Sequence, residues 1–204
     1  MGSLATVQEA SRLTRTERKR QTRSALIAAA RTVVARRGMQ AATHEEIAAE
    51  AGLTIGAIYS NFDNRASLMA ALMDDVAAKS DVVLEEKATV RECLEALGRR
   101  VIAAADSNPE AVDLQLEFLL FANRVPEARA RRLPHRDTEH RRHAEILERV
   151  AARSGEVLPL PAVEYAEAVS HLAWSLMCSR RTLGAAVMSD GLILRSLDLM
   201  APAR

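Results

Sequence analysis

The chain has 204 residues, enough for one large domain or for a small domain joined to a larger one. Apolar residues make up 49% and charged residues 27%, and no apolar run approaches the roughly 18 residues of a membrane span, so composition argues against a membrane protein. Gly, Pro and aromatic residues are few, which favours a mostly α-helical fold over a β-sandwich or barrel. The N-terminal stretch lacks the apolar core of a secretory signal, and we expect a cytoplasmic protein.

Charge is unevenly distributed, although the net charge is only +1. Residues 11–38 contain nine basic residues and one acid, a net charge of +8, and the remainder carries −7. Because phosphate neutralisation needs clustered Lys and Arg, this pattern fits a polyanion-binding head on a body with another role. A solvated basic helix face is the alternative interpretation. The basic residues are Arg12, Arg15, Arg18, Lys19, Arg20, Arg23, Arg31, Arg36 and Arg37.

Capping residues and glycines predict four helices in the first part of the chain. A capping box opens a first helix at Thr14, and that helix ends near Arg37. A second capping box starts at Thr43 and opens a short helix that Gly52 ends. Thr54 caps another short segment. The fourth helix begins after Asn64, and its apolar stripe extends toward the acidic stretch near Glu86.

Longer helices are predicted in the rest of the chain. One follows the capping box at Thr89, and the next begins at Asn108-Pro109 and is apolar on nearly all sides, so we expect it to be central to the core. Pro126 begins another helix, which Pro134 either kinks or restarts. Two helices at about 161–182 and 189–202 finish the chain. The arginine-rich stretch 124–149 is interleaved with acids and predicts a salt-bridged surface helix.

The two short helices around Gly52 have the pattern of a helix-turn-helix. Such a motif needs a glycine where the backbone turns, small residues where the helices meet, and apolar anchors on the inner side of both helices. Gly52 fits the turn, and the second helix would present its outer face to the major groove of DNA. The small residues are Ala48 and Ala51, and the anchors are Ile47, Leu53 and Ile58.

The stretch TRSALIAAARTVVARRGMQAATHEEIAAEAGLTIGAIYSNFDNRASLMAALMD resembles the DNA-binding domain of the TetR family of bacterial transcriptional regulators. The motif-level likeness covers about a quarter of the chain, and its Tyr-x-Asn-Phe ending is specific. The resemblance implies an all-α fold, in which a three-helix DNA-binding domain is joined by a linker helix to a helical effector-binding and dimerisation domain. The expected divisions are a basic arm at 1–15, a DNA-binding domain at 16–79 with its helix-turn-helix at 43–62, and a second domain at 80–204.

The resemblance also implies positions for DNA contacts. Thr43 and Thr54 would cap their helices near phosphates, and the outer face of the second short helix would enter the groove. Arg65 stands where the family usually has Lys and would hold the DNA backbone. Ile55 departs from the polar residue common at its position, and it could contact a thymine methyl instead. The full set expected at DNA is Lys19, Arg23, Thr43, Thr54, Ile55, Gly56, Tyr59, Ser60, Asn61 and Arg65.

The same resemblance implies an effector cavity among helices 5 to 8 and a dimer formed by the last two helices. The function implied is a ligand-released repressor, not an enzyme, that binds a palindromic operator as a homodimer and responds to a small apolar or amphipathic effector. It needs no cofactor. The expected pocket residues are Gln115, Phe118, Phe121, Trp174, Met177 and Cys178, and the expected dimer residues are Leu172, Leu176, Ile193, Leu197 and Met200.

Alternative interpretations remain open for some of these residues. Asp137, His140 and His143, with His135 nearby, could hold a metal ion in a helical bundle that lacks specific DNA binding, although a di-metal bundle would need ligands from several helices. A helical adaptor that binds a protein partner is a further alternative. Cys93 and Cys178 fit no zinc or disulfide pattern, and we expect reduced core cysteines without a redox role.

Overall fold

A computed structural model describes residues 14–79 and 82–202, except for the side chains of residues 132, 133 and 135. The regular structure of these residues is entirely helical, which confirms the predicted all-α class. The expected arm at 1–15 lies almost wholly outside the described residues, as does the side chain of His135. The described helices are α1 (Arg15–Arg37), α2 (His44–Glu50), α3 (Ile55–Tyr59), α4 (Arg65–Ala78), α5 (Val90–Ser107), α6 (Pro109–Arg124), α7 (Pro126–Ser154), α8 (Ala162–Leu183) and α9 (Asp190–Asp198).

Side-chain caps determine where several helices begin. The hydroxyls of Thr14 and Thr43 each accept a hydrogen bond from the backbone N–H three residues later, and the glutamate side chain at that position accepts the backbone N–H of the threonine. The capping boxes predicted at Thr14 and Thr43 are therefore confirmed. Asn64 caps α4 with Ser67 in the same reciprocal way. Thr89 caps α5, but Glu92 accepts from the N–H of Ala88 instead of closing the box.

Residues 14–79, which we call the head, enclose one apolar core. Buried side chains of α1, α2, α3 and α4 meet there. Leu114, Phe118 and Phe121 of α6 and Ala128 of α7 complete the same core. The head is therefore closed by helices that begin some 30 residues or more after its end.

Residues 82–202, which we call the body, have a second core. It is built by α5, α7, α8 and α9, with Val112 of α6 at its edge. The buried guanidinium of Arg180 ties three of these helices together, because it binds Asp106 at 2.7 Å and Asp190 at 2.8 Å and donates to the carbonyl of Met188. Those two carboxylates raise the pKa of Arg180.

The structure refines the expectations for α4, α7 and α6. α4 ends at Ala78, and residues 82–87 have no regular structure, so the helix does not continue to Glu86. α7 is continuous through Pro134, so the helix does not restart there, and the Thr138 hydroxyl donates to the Pro134 carbonyl one turn later. α6 is not buried on all sides, since Leu119 and Leu120 are exposed. Within the described ranges, no helix combines the length and apolar character that crossing a membrane requires.

Candidate nucleic-acid interface

The α2–turn–α3 unit has the geometry that its sequence predicts. Gly52 adopts a φ of +65°, in the left-handed region that favours glycine. The N–H of Leu53 then donates to the carbonyl of Ala48 at 2.9 Å and closes the turn. Ile47, Ala48 and Ile58 are buried in the head core, so the opposite side of α3 is left at the surface.

The outward face of α3 is exposed and carries no charge. Thr54, Gly56 and Ser60 are exposed, and Ile55 is slightly so. Tyr59 is 61% exposed, although its ring makes a T-shaped contact with the His44 imidazole, with 5.6 Å between the ring centroids. The Thr54 side chain makes no capping hydrogen bond. A surface of hydroxyl groups and one apolar residue therefore lies open to a partner.

Asn61 and Ser60 close the C-terminal end of α3. The Asn61 side-chain nitrogen donates to the Ala57 carbonyl at 2.8 Å and to the Ser60 hydroxyl oxygen at 3.3 Å. The side-chain oxygen Oδ1 is buried with no hydrogen-bond partner among the described residues. The Ser60 hydroxyl also donates to Ala57. Both bonds of the Asn61 side-chain amide stabilise the helix end in this structure, and its expected contact with DNA stays a prediction.

Arg65 is also placed differently from the expectation. Its guanidinium donates to the carbonyls of Met39 and Gln40, the latter at 2.8 Å, and lies 5.5 Å from the Phe121 ring centre. Burial lowers the pKa of this side chain. Because donors of its guanidinium face the turn between α1 and α2, Arg65 holds that turn, and its expected contact with the DNA backbone stays a prediction.

The two ends of α1 differ in how their basic residues are paired. Arg36 and Arg37, near the C-terminal end, bind Glu50 and Glu46 of α2 at 3.5 and 2.9 Å. Arg31 binds Asp75 and Glu110. Near the N-terminal end, Lys19 and Arg20 are exposed and have no carboxylate partner among the described residues.

Arg23 connects this basic end of α1 with α3. Its guanidinium donates to the Asn61 carbonyl at 2.9 Å and lies 4.3 Å from the centre of the Phe62 ring. The remaining N–H groups stay at the surface, since the residue is exposed. The cations near the start of α1 therefore lie beside the end of α3 and form one continuous surface with it. Thr43 is exposed too, but its hydroxyl accepts the N–H of Glu46.

The body encloses a cavity of about 520 Å³. It is bounded by the end of α4, the segment 82–84 and helices α5 to α8. Its volume is within the range of small-molecule sites. Of the expected pocket residues, Gln115, Trp174 and Met177 line it. Phe118 and Phe121 do not, because both pack into the head core. Cys178 does not line it either and packs against the body core.

The expected dimer stripe is largely internal. Leu176, Ile193 and Leu197 are buried in the body core of their own protomer, so assigning them to a surface between protomers is wrong. Leu172 and Met200 are partly buried against the same core. The apolar side chains that α8 and α9 leave exposed are Val163, Leu183 and Leu192, together with Leu199 just beyond α9.

His140 and His143 of α7 face α8. The His140 Nδ1 lies 3.7 Å from a Glu167 oxygen, and burial lowers the pKa of His140. Burial likewise lowers the pKa of His143, whose Nδ1 is 3.4 Å from the Ser170 hydroxyl. Asp137 is exposed, and no group of three potential ligands meets within the described chain.

Neither cysteine lies in an electropositive setting. Cys93 is buried, and burial raises the pKa of its thiol. Burial also raises the pKa of Cys178, to about 11, so that thiol is protonated at neutral pH.

One contact was missed by the sequence reasoning. Glu117 of α6 accepts the backbone N–H of Met39 at 2.9 Å, and its carboxylate packs against Gly38. The carbonyl of the same Met39 is held by Arg65. The turn before α2 is therefore held from both sides, by α4 and by α6. A lone acid in the apolar run LEFLLF was the available signal, but nothing local indicates its partner 78 residues away.

Comparison with known proteins gives a family for the head and a fold for the whole chain. Residues 26–72 match the profile described as "Bacterial regulatory proteins, tetR family". No curated protein matches the chain. Among solved structures, Salmonella enterica GusR is similar over 93% of this chain and 98% of its own, with a TM-score of 0.72 and 15% identity.

Two further structures have the same overall fold. A transcriptional regulator of the TetR family from Agrobacterium tumefaciens aligns over 91% of this chain and all of its own, with a TM-score of 0.66 and 20% identity. The multidrug binding protein EbrR, complexed with proflavin, aligns over 88% and 99% of the two chains, with a TM-score of 0.60 and 20% identity.

Proposed function

We propose that this chain, whose residues 26–72 match the profile of the TetR family of bacterial regulatory proteins, is a transcriptional repressor released from DNA by a small molecule. In this proposal a homodimer binds a palindromic operator through its two heads. The body holds the effector and joins the two protomers. The protein acts by binding, without a catalytic step.

The exposed face of α3 is the observation that carries the DNA-binding part. Its position after a glycine turn is that of a recognition helix, whose outer side chains reach base edges in the major groove. Tyr59 can donate its hydroxyl to a phosphate or a base edge, and Ile55 offers an apolar contact of the kind that recognises a thymine methyl. Thr54, Gly56 and Ser60 leave room for close approach.

The unpaired cations of α1 support the same surface. Lys19 and Arg20 lie near the start of α1, and Arg23 links that end to the end of α3. Phosphate contacts position a protein on DNA and supply most of the salt-dependent affinity. The paired cations at the far end of α1 are neutralised by α2, so we assign them no role in DNA binding.

Exposed apolar residues of the last two helices support the dimer. Val163, Leu183 and Leu192 lie on α8 and α9, and Leu199 beyond α9 is 86% exposed. Exposed large apolar side chains are candidates for an association surface. A two-fold dimer would present two α3 helices to half-sites about one DNA turn apart, roughly 34–36 Å.

Helix α6 is the element through which ligand binding would reach the head. Its Gln115 lines the cavity, and two residues later Glu117 holds the turn before α2. A change in α6 therefore acts on the head directly, and the end of α4 also borders the cavity. The EbrR complex with proflavin supports a small-molecule site in a protein of this fold.

Ligand release sets an energetic requirement. Moving the population from almost all DNA-competent to almost all incompetent needs a difference in ligand affinity of about 5 kcal/mol between the two states. By linkage, bound operator weakens effector binding by the same factor by which bound effector weakens operator binding. Tight ligand binding alone is insufficient.

Selection of bound fragments from random duplexes tests the DNA-binding proposal. We expect an enriched palindromic sequence that the purified chain binds at least about 1,000-fold more tightly than unrelated duplex at the same salt concentration. Enrichment of no sequence, with equal affinity for all duplexes, would contradict it.

Sedimentation velocity tests the dimer surface. We expect the wild type to sediment as a dimer and Leu199→Glu to shift it toward monomer. Leu120→Glu is the matched control, since Leu120 is also exposed but lies on α6. If the two variants behave alike, the assigned surface is not the interface.

A further inference from the structure

The cavity in the body has a chemically divided lining. Its apolar part is formed by α5 and α8 with the segment 82–84 and includes Leu84, Leu97, Val169, Ala173 and Met177. Its polar part comes mainly from one side of α7, where residues 138, 139, 142 and 143 follow the spacing of a helix face. An occupant with one apolar end and one polar end fits this division.

Arg142 is the charge at the polar part that has no counterpart. It is exposed at the lining of the cavity and has no carboxylate partner among the described residues. Glu139, the acid in the same lining, already interacts with another residue. Arg142 is therefore the cation that the lining offers to an occupant.

Two neutral groups next to Arg142 can add hydrogen bonds. His143 is partly buried, and its Nδ1 lies 3.4 Å from the Ser170 hydroxyl. Gln115 lines the cavity from α6, and its amide makes no hydrogen bond to any residue described. An amide and an imidazole can both donate to a carboxylate, which accepts at several positions.

We propose that the cavity binds an amphipathic organic anion, with its apolar chain against the α5 and α8 side and its carboxylate at Arg142 and His143. This inference deepens the proposed ligand-released function, because it names the chemical class of the effector. A cationic ligand would face the unpaired Arg142, and a neutral one would leave that charge without a partner. Both are therefore weaker occupants than the anion.

Trp174 makes the test direct. It is the only tryptophan of the chain and lines the cavity, so its fluorescence reports occupancy at this site. We would titrate the full-length protein with decanoate, decanamide and decyltrimethylammonium, which share an alkyl chain and differ in the charge of the head group. We expect decanoate to bind at least about tenfold more tightly than either analogue, as charge-assisted hydrogen bonds are stronger than neutral ones.

Substitution of Arg142 is the second part of the experiment. Arg142→Gln should weaken decanoate about fivefold, the size expected for an ion pair in contact with solvent, and leave decanamide unchanged. Arg141→Gln is the matched control, because Arg141 is exposed on the same helix but does not line the cavity. Equal affinity for the three probes, no binding of decanoate, or equal effects of both substitutions would overturn the proposal.

Operator release is measured separately with the same probes. If decanoate binds preferentially and loses affinity in Arg142→Gln, the ligand class stands even where the operator complex is unaffected. An operator complex that decanoate leaves unaffected would contradict only the proposed release from DNA, and not the ligand class. If the operator complex forms but no probe prefers the anion, DNA binding stands and the ligand class fails.

Discussion

The DNA-binding unit and the ligand cavity differ in how far apart their residues lie in the chain. α2, its turn and α3 occupy residues 44–59. Local hydrogen bonds fix the turn between the two helices, and Tyr59 lies on the outward face of α3. The cavity instead collects side chains from Ala77 to Met177, on five helices and one irregular segment. The first is specified by local spacing and the second by long-range packing. Substitutions that disturb long-range packing should therefore change stability and binding in ways that local sequence spacing does not predict.

The largest effect is expected where the body completes the head core. Phe121→Ala should lower the free energy of unfolding by about 3–5 kcal/mol, because it removes a buried ring from a core formed mainly by residues 14–79. Urea denaturation measures this difference. Leu120→Ala, one residue earlier and exposed, should change stability by less than about 0.5 kcal/mol. Equal effects would mean that α6 does not close the head.

A smaller effect is expected at the contact between α6 and the turn before α2. Glu117→Ala leaves the Met39 N–H without its acceptor and should cost about 1–3 kcal/mol of stability. It should also reduce the ratio of operator affinities without and with ligand, measured by fluorescence anisotropy. Glu110→Ala is the matched control, since that exposed α6 acid forms only an ion pair with Arg31. An unchanged ratio in Glu117→Ala would remove α6 as the coupling element.

Lys19 and Arg65 separate DNA contact from support of the fold. Lys19→Ala should reduce the slope of log affinity against log salt by about 1 without changing the melting temperature. Arg65→Gln should lower the melting temperature and leave the slope unchanged, because its donors bind the Met39 and Gln40 carbonyls. Lys79→Ala, an exposed lysine of the head paired with Asp75, is the control. A slope altered by Arg65→Gln would place Arg65 at DNA.

The smallest effect concerns pH. Burial, aided by the charge of Arg65, lowers the pKa of His44, and the Nε2 is buried without a partner. The unfolded chain therefore takes up a proton that the folded head resists, so His44 lowers stability as pH falls below its ordinary pKa of 6.5. Thermal melts of the wild type should lose stability from pH 7.5 to pH 5.5, and His44→Gln should lose less. Parallel losses would contradict this role, since His140 and His143 remain in both proteins.

Most of the head could be predicted from sequence because its determinants are close together. The capping residues Thr14 and Thr43, the turn at Gly52 and the anchor Ile58 each act within a few residues. Asn61 and Arg65 show the limit of that reasoning. Their positions in the motif indicated DNA, but backbone carbonyls within reach in the fold use their donors.

The body was less predictable because apolar periodicity cannot tell one buried surface from another. Phe118 and Phe121 were expected at the cavity and lie in the head core, while Ile193 and Leu197 were expected between protomers and lie inside one. Each has the spacing of a buried helix face, which indicates burial without naming the partner. Gln115, Trp174 and Met177 do line the cavity.

Operator affinity of Tyr59→Ala tests the central claim most directly, since Tyr59 is the largest side chain exposed on α3. With a selected duplex, the account predicts a loss of about tenfold or more, while helicity and melting temperature stay within error of the wild type. Unchanged operator affinity in a folded Tyr59→Ala protein would contradict the assignment of α3 as the DNA-reading helix.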